Sequence, residues 1–290
     1  MEDVGGVKVL VTGGTGFVGG HVVRALQAAG AEVVVGTRAT CDVTGELPDL
    51  TGFDAIVHAA TAGAVASQGQ LVDTLRVNVE GTARLYVAAR RVGVRHFVHL
   101  GSAYELGPST EALTEEAPLQ PLGVYGAAKA AGWLVLEQLA AAHGGGLTGL
   151  RLYTQYGHGD DPRRLIPGVV DAVKRGVPID LSAGTQRRDF VWVSDVARLI
   201  VGLLGHGAPD GLFHVCTGRP LSVREAATTV ARCGDGEHLL RFGTATAHEG
   251  AARDVIGDPG RLERWCRDQR LDHLVAWTSL EDGARQLFAL

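Results

Sequence analysis

The chain has 290 residues, of which 46% are hydrophobic and 20% charged, with a formal net charge of −5; this is enough for a large core in one large domain or two intimate ones. The acidic balance and the lack of a basic block argue against nucleic acid as a partner. The sequence holds no run near the ~20 apolar residues of a membrane helix, no signal-peptide pattern and no metal-ligand spacing among Cys41, Cys216, Cys233 and Cys266, so we expect a cytoplasmic protein with free thiols and no metal.

Apolar β-branched runs alternate with alanine-rich helical patterns along the first half of the chain. In order, the sequence predicts a strand at 7–13, a helix at 17–30, strands at 31–37 and 53–60, a helix at 71–93, a strand at 94–102, a helix at 125–144 and a strand at 147–154. Strands without a polar face that alternate with helices indicate a parallel sheet covered on both sides. We therefore predict an α/β fold with a doubly wound, Rossmann-type parallel sheet.

The alternation weakens after about residue 157. Helical patterns at 163–178 and 222–234 lie in more arginine-rich, irregular surroundings. The sequence therefore predicts two domains. The first comprises residues 1–157 together with about 190–217, and a smaller, interleaved C-terminal lobe comprises 158–189 and 218–290.

Three glycines, Gly13, Gly16 and Gly19, lie between the first strand and the first helix in the pattern G-x-x-G-x-x-G. The first allows a tight turn, the second a close approach of backbone to a pyrophosphate, and the third close packing of the helix on the sheet. The N-terminus of that helix offers free N–H groups and the positive end of its dipole to an anion. This combination predicts a dinucleotide-binding loop.

The end of the second strand, "VVVGTRAT", indicates which dinucleotide is bound. An acidic residue here would bind the ribose hydroxyls of NAD, but this chain has Arg38 instead. A guanidinium can pair with a 2′-phosphate, which favours NADP; the alternative is a solvated surface cation. Asp42 follows, and it either accepts a hydrogen bond from the adenine amino group or caps a turn.

Tyr125 and Lys129 are four residues apart on a predicted helix, so their side chains share one face. A neighbouring ammonium lowers the pKa of a phenol and makes it a usable acid or base at neutral pH. Ser102 closes a predicted strand at the sheet edge where ligands bind, and its hydroxyl can stabilise charge on a carbonyl oxygen. The three residues together predict an enzyme that acts on a carbonyl or a hydroxyl.

Eight motifs occur in the order found in the extended short-chain dehydrogenase/reductases, the NAD(P)-dependent sugar epimerase/dehydratase family, which this chain resembles over almost its whole length. They are "TGGTGFVGG", "HAAT", "NVEGT", "GSAYELG", "YGAAK", "RLYTQYGHG", "GTQRRDFVWVSDVA" and "SLEDGARQ". The resemblance implies that Tyr125 exchanges a proton with the substrate, that Lys129 binds the nicotinamide ribose and keeps Tyr125 acidic, and that Ser102 polarises the carbonyl.

The resemblance also implies the binding residues. Those expected to contact the cofactor are Gly13, Thr15, Gly16, Phe17, Val18, Gly19, Arg38, Asp42, Val43, Ala59, Ala60, Asn78, Tyr125 and Lys129. Those expected to contact a nucleotide-sugar substrate are Ser102, Tyr104, Thr154, Arg188 and Arg253. The two arginines match positions that bind the substrate diphosphate, although an ion pair for Arg188 and a surface position for Arg253 are the alternatives.

Two departures from the family pattern narrow the expected reaction. Members that dehydrate sugars resemble "TDEVYG" after the fifth strand, where an Asp–Glu pair performs the elimination; here the matching residues are Ala103 and Tyr104. Thr154 replaces the asparagine of the usual "NVYG" segment. The first departure disfavours 4,6-dehydration, the second changes the expected substrate contacts near residues 154–156, and Arg38, which favours NADP, favours a net reductase over an epimerase.

We therefore expect an NADPH-dependent reductase of a nucleotide-linked keto sugar, in particular a 4-keto-6-deoxyhexose. The alternatives are an NAD-dependent nucleotide-sugar 4-epimerase, a reductase of non-sugar carbonyls, and a regulator that senses NADP without catalysis. Family members often dimerise through the helices that correspond to 71–93 and 125–144. Apolar residues for that seam, or for the core of the monomer, are Leu85, Leu134, Val135 and Leu139.

Overall fold

A computed structural model describes residues 4–64, 71–246 and 253–289. The chain forms two compact units, which interleave along the sequence. Unit 1 comprises Met1–Gly107, Ala117–Leu152 and Val196–His214, and unit 2 comprises Pro108–Glu116, Tyr153–Asp195 and Val215–Leu290.

Unit 1 holds the alternating strands and helices. They are β1 (Lys8–Thr12), α1 (Phe17–Ala28), β2 (Glu32–Gly36), β3 (Ala55–His58), α2 (Leu71–Leu75), α3 (Thr82–Arg91), β4 (His96–Ser102), α4 (Gly123–His143), β5 (Leu147–Leu152), most of α6 (Val193–Gly205) and β10 (Gly211–Val215). The strands form one six-stranded sheet in the order β10-β5-β4-β3-β1-β2.

The sheet confirms the predicted doubly wound, Rossmann-type fold. Strand β1 pairs in parallel with β2 and β3, and the parallel pairing continues from β3 to β4 and from β4 to β5. Every residue of β3 and β5 is buried, which explains why these strands have no polar face in the sequence. The carboxyl ends of parallel strands meet at one edge, so Thr12, His58 and Ser102 end their strands on the same side.

The helix predicted at 71–93 has a wider turn at its centre. A π-helical turn, Arg76–Gly81, joins α2 to α3. The backbone carbonyl oxygen of Asn78 in this turn lies against Gly132 of α4, where a Cβ atom would collide with it. Single π turns inside α-helices occur frequently at functional sites, and this one brings the Asn78 side chain toward the end of β3, where its amide donates to the Ala62 carbonyl at 2.8 Å.

Helix α4 ends at His143, and the Gly144 that follows has a φ of +85°, the left-handed conformation that favours glycine at helix C-termini. The apolar residues predicted for either the core or a seam differ in exposure. Leu85 on α3 is fully buried, whereas Leu134 on α4 is 49% exposed.

Unit 2 is built from short strands and four helices among the described residues. Its elements are β6 (Thr154–Tyr156), α5 (Leu165–Arg175), β7 (Ile179–Leu181), β8 (Arg187–Arg188), β9 (Phe190–Trp192), β11 (Leu221–Ser222), α7 (Val223–Arg232), β12 (Leu240–Phe242), α8 (Gly260–Asp268) and α9 (Leu280–Phe288). The strands pair as β6 with β9, β7 with β12, and β8 with β11.

Strand β6 accounts for one departure from the predicted boundaries. The sequence grouped residues up to 157 and from about 190 with the first domain, but β6 pairs in parallel with β9, and both lie in unit 2. Tyr156 and Trp192 of these strands pack edge to face at 5.2 Å between ring centroids within the core of that unit.

Over the described ranges, no helix has both the length and the apolar content needed to cross a membrane.

Candidate active site

The glycine loop between β1 and α1 has the conformation that a dinucleotide phosphate requires. Gly13 has a φ of +66°, and a Cβ atom there would lie 2.7 Å from the Ala60 Cα. At Gly19 a Cβ would collide with the Gly13 carbonyl oxygen. Thr15 and Gly16 are exposed, and among the described residues no side chain caps the helix start at Gly16. The first N–H groups of α1 therefore fit an anionic diphosphate.

The remaining predicted cofactor residues of the first strands surround this loop. Phe17 and Val18 open α1. Ala59 and Ala60 follow β3, and the Ala59 N–H donates to the Thr12 carbonyl at 3.1 Å. The structure therefore brings the residues that the sequence predicted around β1 and β3 to one edge of the sheet.

After β2, Arg38 is exposed and Asp42 has a structural role. The Asp42 carboxylate accepts hydrogen bonds from the Thr44 N–H at 2.9 Å and from its hydroxyl at 2.8 Å, and these bonds lower the pKa of Asp42. Of the two roles that the sequence left open, the structure therefore gives Asp42 the turn cap. Val43 is buried, and its carbonyl accepts a hydrogen bond from the Arg84 guanidinium of α3 at 3.2 Å.

Ser102 and Tyr125 lie together, as the sequence predicted. Ser102 ends β4, and the Tyr125 phenol in the first turn of α4 forms hydrogen bonds with Ser102 and with Thr61. Thr61 in turn donates to the Asn78 Oδ1 atom at 2.7 Å. Thr61 was not among the predicted site residues, although it ends the "HAAT" motif. The phenol thus has one hydroxyl partner at the end of β4 and another after β3.

Lys129 is buried one turn after Tyr125, and its ammonium donates to the Leu100 carbonyl of β4 at 2.6 Å. Burial lowers the pKa of Lys129 to about 8, while the nearby Glu105 carboxylate acts in the opposite direction. The sequence predicted that Lys129 lowers the pKa of Tyr125. In the structure the pKa of Tyr125 is raised, because desolvation of the phenol outweighs its hydrogen bonds to Thr61 and Ser102.

Two charged residues that the sequence interpretation missed lie directly behind Ser102. Glu105 is fully buried in the short helical turn Ala103–Glu105 that follows β4. Its carboxylate accepts a hydrogen bond from the Arg151 Nε atom of β5 at 2.9 Å. The available signal was an acid in the middle of "GSAYELG" and an arginine inside a buried strand. Tyr104, a predicted substrate contact, is 38% exposed in the same turn.

The other predicted substrate contacts belong to unit 2. Arg188 in β8 is buried, and its guanidinium donates to the Arg187 carbonyl at 2.8 Å and to the Arg253 carbonyl. This second hydrogen bond brings the two predicted diphosphate ligands next to each other. Arg253 itself is exposed. Thr154 opens β6, and its N–H donates to the Asp189 carbonyl at 2.9 Å.

Two buried histidines lie beneath the site on β3 and β4. The ring nitrogens of His58 bond to the hydroxyls of Thr12 at 2.7 Å and Thr82 at 2.9 Å. His99 stacks on Trp133 at 6.4 Å between ring centroids, and neither of its ring nitrogens has a hydrogen-bond partner within the part of the chain that the structure describes. Within the described ranges, no group of three or more His, Cys, Asp or Glu residues could hold a metal ion.

Burial suppresses protonation of both rings. Desolvation, assisted by the Lys129 charge, lowers the pKa of His58 to about 3 and holds the pKa of His99 well below its usual value. The folded chain therefore keeps two neutral imidazoles in contact, with ring centroids 5.6 Å apart.

Comparison with known proteins identifies the class to which this site belongs. A sequence profile of the NAD dependent epimerase/dehydratase family matches residues 9–216. The chain therefore belongs to this family, the extended short-chain dehydrogenase/reductases that act on nucleotide sugars, as the motifs predicted.

Particular relatives carry several activities. The dTDP-glucose 4,6-dehydratase of Streptomyces niveus is 31% identical over 81% of this chain and 80% of that protein. The UDP-glucose 4-epimerase of Azospirillum brasilense is 29% identical over 96% and 94%. Among solved structures, MoeE5 in complex with UDP-glucose and NAD superposes with a TM-score of 0.81 at 28% identity, over 97% of both chains. The UDP-glucose 4-epimerase of Thermus thermophilus in complex with NAD has a TM-score of 0.78 at 25% identity, over 96% of this chain and 97% of the other.

The buried histidine pair predicts acid lability. Unfolded histidines bind protons below pH ~6.5, whereas the folded rings do not, so their contribution to the free energy of unfolding is present above that pH and is lost as pH falls toward the folded pKa values. Between pH 8 and pH 5, the free energy of unfolding of His99→Leu should fall by about 2 kcal/mol less than that of the wild type. Urea unfolding followed by tryptophan fluorescence measures this change.

The matched control is His143→Gln, at an exposed position in the last turn of α4. It should leave the pH dependence of unfolding unchanged. If His99→Leu retains the full wild-type loss of stability between pH 8 and pH 5, His99 does not contribute to acid lability.

Proposed function

We propose that the chain is an NADPH-dependent reductase of a nucleotide-diphosphate-linked keto sugar, in particular a 4-keto-6-deoxyhexose. The observation that carries this proposal is the hydrogen-bonded pair of Ser102 and Tyr125 above the buried ammonium of Lys129. A serine hydroxyl and a phenol that share a hydrogen bond at the edge of a parallel sheet can both bond one substrate oxygen.

Each of the three residues has a defined task in this reaction. Ser102 polarises the ketone, and Tyr125 donates a proton to the oxygen as it becomes an alcohol. The raised pKa of Tyr125 keeps the phenol protonated at neutral pH, which suits donation. The buried charge of Lys129 binds the ribose next to the nicotinamide and stabilises the phenolate that remains after proton transfer.

The residues around the glycine loop would hold the cofactor, which supplies a hydride to the carbonyl carbon. Gly13, Gly16 and the first N–H groups of α1 bind the diphosphate, and Asn78 supports Thr61 beside the phenol. The exposed Arg38 would pair with a 2′-phosphate, and residues 37–41, directly after β2, include no acidic residue that would select NAD.

A dehydration mechanism lacks its acid–base pair in this chain. The two positions after Ser102 hold Ala103, which is buried, and Tyr104, whose phenol replaces a carboxylate. Neither side chain can abstract a proton from carbon as an ionised carboxylate does at neutral pH. The dehydratase activity named for the Streptomyces niveus relative is therefore not proposed for this chain.

A second candidate function is an NAD-dependent nucleotide-sugar 4-epimerase. It is supported by the relatives named UDP-glucose 4-epimerase and by structural neighbours solved with NAD. Both candidates use the same three residues and a nucleotide sugar, for which Arg188 and Arg253 would supply the diphosphate contacts. They differ in their stoichiometry, because a reductase consumes one cofactor per product and an epimerase consumes none.

The test of the proposed function is turnover of a panel of nucleotide-linked 4-keto sugars and hexoses. We expect NADPH oxidation at 340 nm in proportion to the alcohol formed, and Tyr125→Phe should lower kcat at least about 10³-fold, because the proton donor is lost. Circular dichroism checks that Tyr125→Phe is folded. Interconversion of hexoses without cofactor consumption would establish the epimerase instead.

Cofactor choice gives a separate prediction. Arg38→Ala should weaken NADPH binding by about 10- to 100-fold, since a charge-assisted pair with the 2′-phosphate is lost, and should leave NADH binding within about twofold. Calorimetry with both nucleotides measures the effect, with Arg91→Ala, at an exposed position on α3, as the control. Tighter binding of NADH than of NADPH by the wild-type chain would contradict this assignment.

We also propose a homodimer through α3 and α4. Leu134 is exposed on α4, and a shallow apolar groove nearby is lined by Val87 and Ala88 of α3 and by Val135 and Leu139 of α4. Leu134→Glu should shift sedimentation from dimer to monomer, whereas Val177→Glu, at an exposed valine of unit 2, should not. A wild-type chain that sediments as a monomer would contradict the proposal.

A further inference from the structure

Glu105 is a fully buried carboxylate next to Ser102. One oxygen, Oε1, accepts the Ser102 N–H at 2.7 Å, and the other, Oε2, accepts from the Arg151 Nε atom at 2.9 Å. Both side chains of this ion pair are 1% exposed. Arg151 Nη1 in turn donates to the His214 Nε2 atom at 3.0 Å. A buried polar chain thus runs from the backbone of Ser102 across β4, β5 and β10.

Stability alone does not account for this pair. Desolvating two charges costs several kcal/mol per ion, and replacing a buried pair with apolar side chains of similar volume is often neutral or stabilising. The backbone beside it is also adapted to the carboxylate. At Gly101 a Cβ atom would lie 2.6 Å from the Glu105 Oε1 atom. The strand end therefore accommodates Glu105 only because residue 101 has no side chain.

The carboxylate acts on the site through one hydrogen bond and through its charge. The Ser102 N–H that it accepts belongs to the residue whose hydroxyl bonds Tyr125. Its charge also raises the pKa of Lys129 against the larger effect of burial, and it raises the pKa of Tyr125. Removal of that charge therefore lowers both pKa values.

The other titratable or charged groups that face Glu105, Lys129 or Tyr125 belong to the same unit. They are Tyr104 in the turn after β4, Arg151 on β5, His214 on β10, His58 on β3 and His99 on β4. Burial keeps His58 and His99 neutral. The Glu105 carboxylate is therefore the charge that opposes the lowering of the Lys129 pKa by burial.

We propose that Glu105 is a positioning residue of this site. Held by Arg151, its carboxylate fixes the Ser102 backbone so that the hydroxyl meets Tyr125. The inference rests on the proposed function, because it takes Ser102, Tyr125 and Lys129 as the groups that act on substrate and cofactor.

Two variants separate the two roles. Glu105→Gln retains an oxygen that can accept the Ser102 N–H but removes the charge. The alkaline limb of the pH profile of kcat/KM should move to lower pH by about one unit. Glu105→Gln leaves the buried Arg151 without a charged partner, which destabilises the fold. The double variant Glu105→Leu/Arg151→Met replaces both members of the pair with apolar side chains and therefore provides a folded comparison.

The double variant should unfold cooperatively. We expect its kcat to fall about 10- to 100-fold, its alkaline limb to move down, and the Ser102 amide to exchange hydrogen at least about tenfold faster. Glu105→Asp, which keeps the charge on a shorter side chain, should retain the wild-type alkaline limb while kcat falls. Asp195→Asn, which changes a buried carboxylate bonded to Thr278 in unit 2, is the control and should leave the limb unchanged.

A folded double variant with kcat within twofold of wild type, an unmoved alkaline limb and unchanged amide exchange at Ser102 would overturn the proposal. The exchange measurement needs no substrate. If the wild-type chain turns over no nucleotide sugar, the proposed function fails, while faster exchange at Ser102 still supports the positioning role and unchanged exchange still refutes it.

Discussion

The hydrogen bond from the Lys129 ammonium to the Leu100 carbonyl is the contact on which the candidate site depends. It joins α4 to β4 through the Lys129 side chain, which is 2% exposed. Helix α4 therefore cannot move away from β4 without leaving a buried charge unpaired. Close approach is possible because Gly126 lies against the Tyr104 carbonyl, where any side chain would collide. With α4 held this near to β4, Tyr125, one turn earlier, has to lie beside Ser102.

The same close packing explains the irregular helix on the other side of α4. Gly132, two turns beyond Tyr125, admits the backbone carbonyl of Asn78, and the chain there widens into a π turn. The turn directs the Asn78 side chain toward Thr61, which bonds the phenol in addition to Ser102. The phenol therefore has one hydroxyl partner at the end of β4, which Lys129 of α4 contacts, and another after β3, which Asn78 of the π turn contacts.

Sequence patterns predicted the parts of the site that depend on local spacing. Tyr125 and Lys129 share a helix face because they are four residues apart, and the glycine loop follows directly from its place between a strand and a helix. Glu105 and Arg151 escaped prediction because they are 46 residues apart, and a buried ion pair has no periodic signal. The raised pKa of Tyr125 was missed for a related reason: the i, i+4 spacing shows that an ammonium is near but not that burial dominates its effect.

The balance of buried charge bears on the proposed choice of a reductase over an epimerase. An epimerase must use one phenol first as a base and then as an acid, which is easiest when its pKa is near the working pH. Desolvation and the Glu105 carboxylate both raise the pKa of Tyr125, so the protonated phenol is the stable form. A site that holds its proton in this way is prepared to donate to a carbonyl oxygen. The charge of Glu105, which raises the pKa of both Lys129 and Tyr125, is therefore in keeping with the proton donor that the proposed reductase requires.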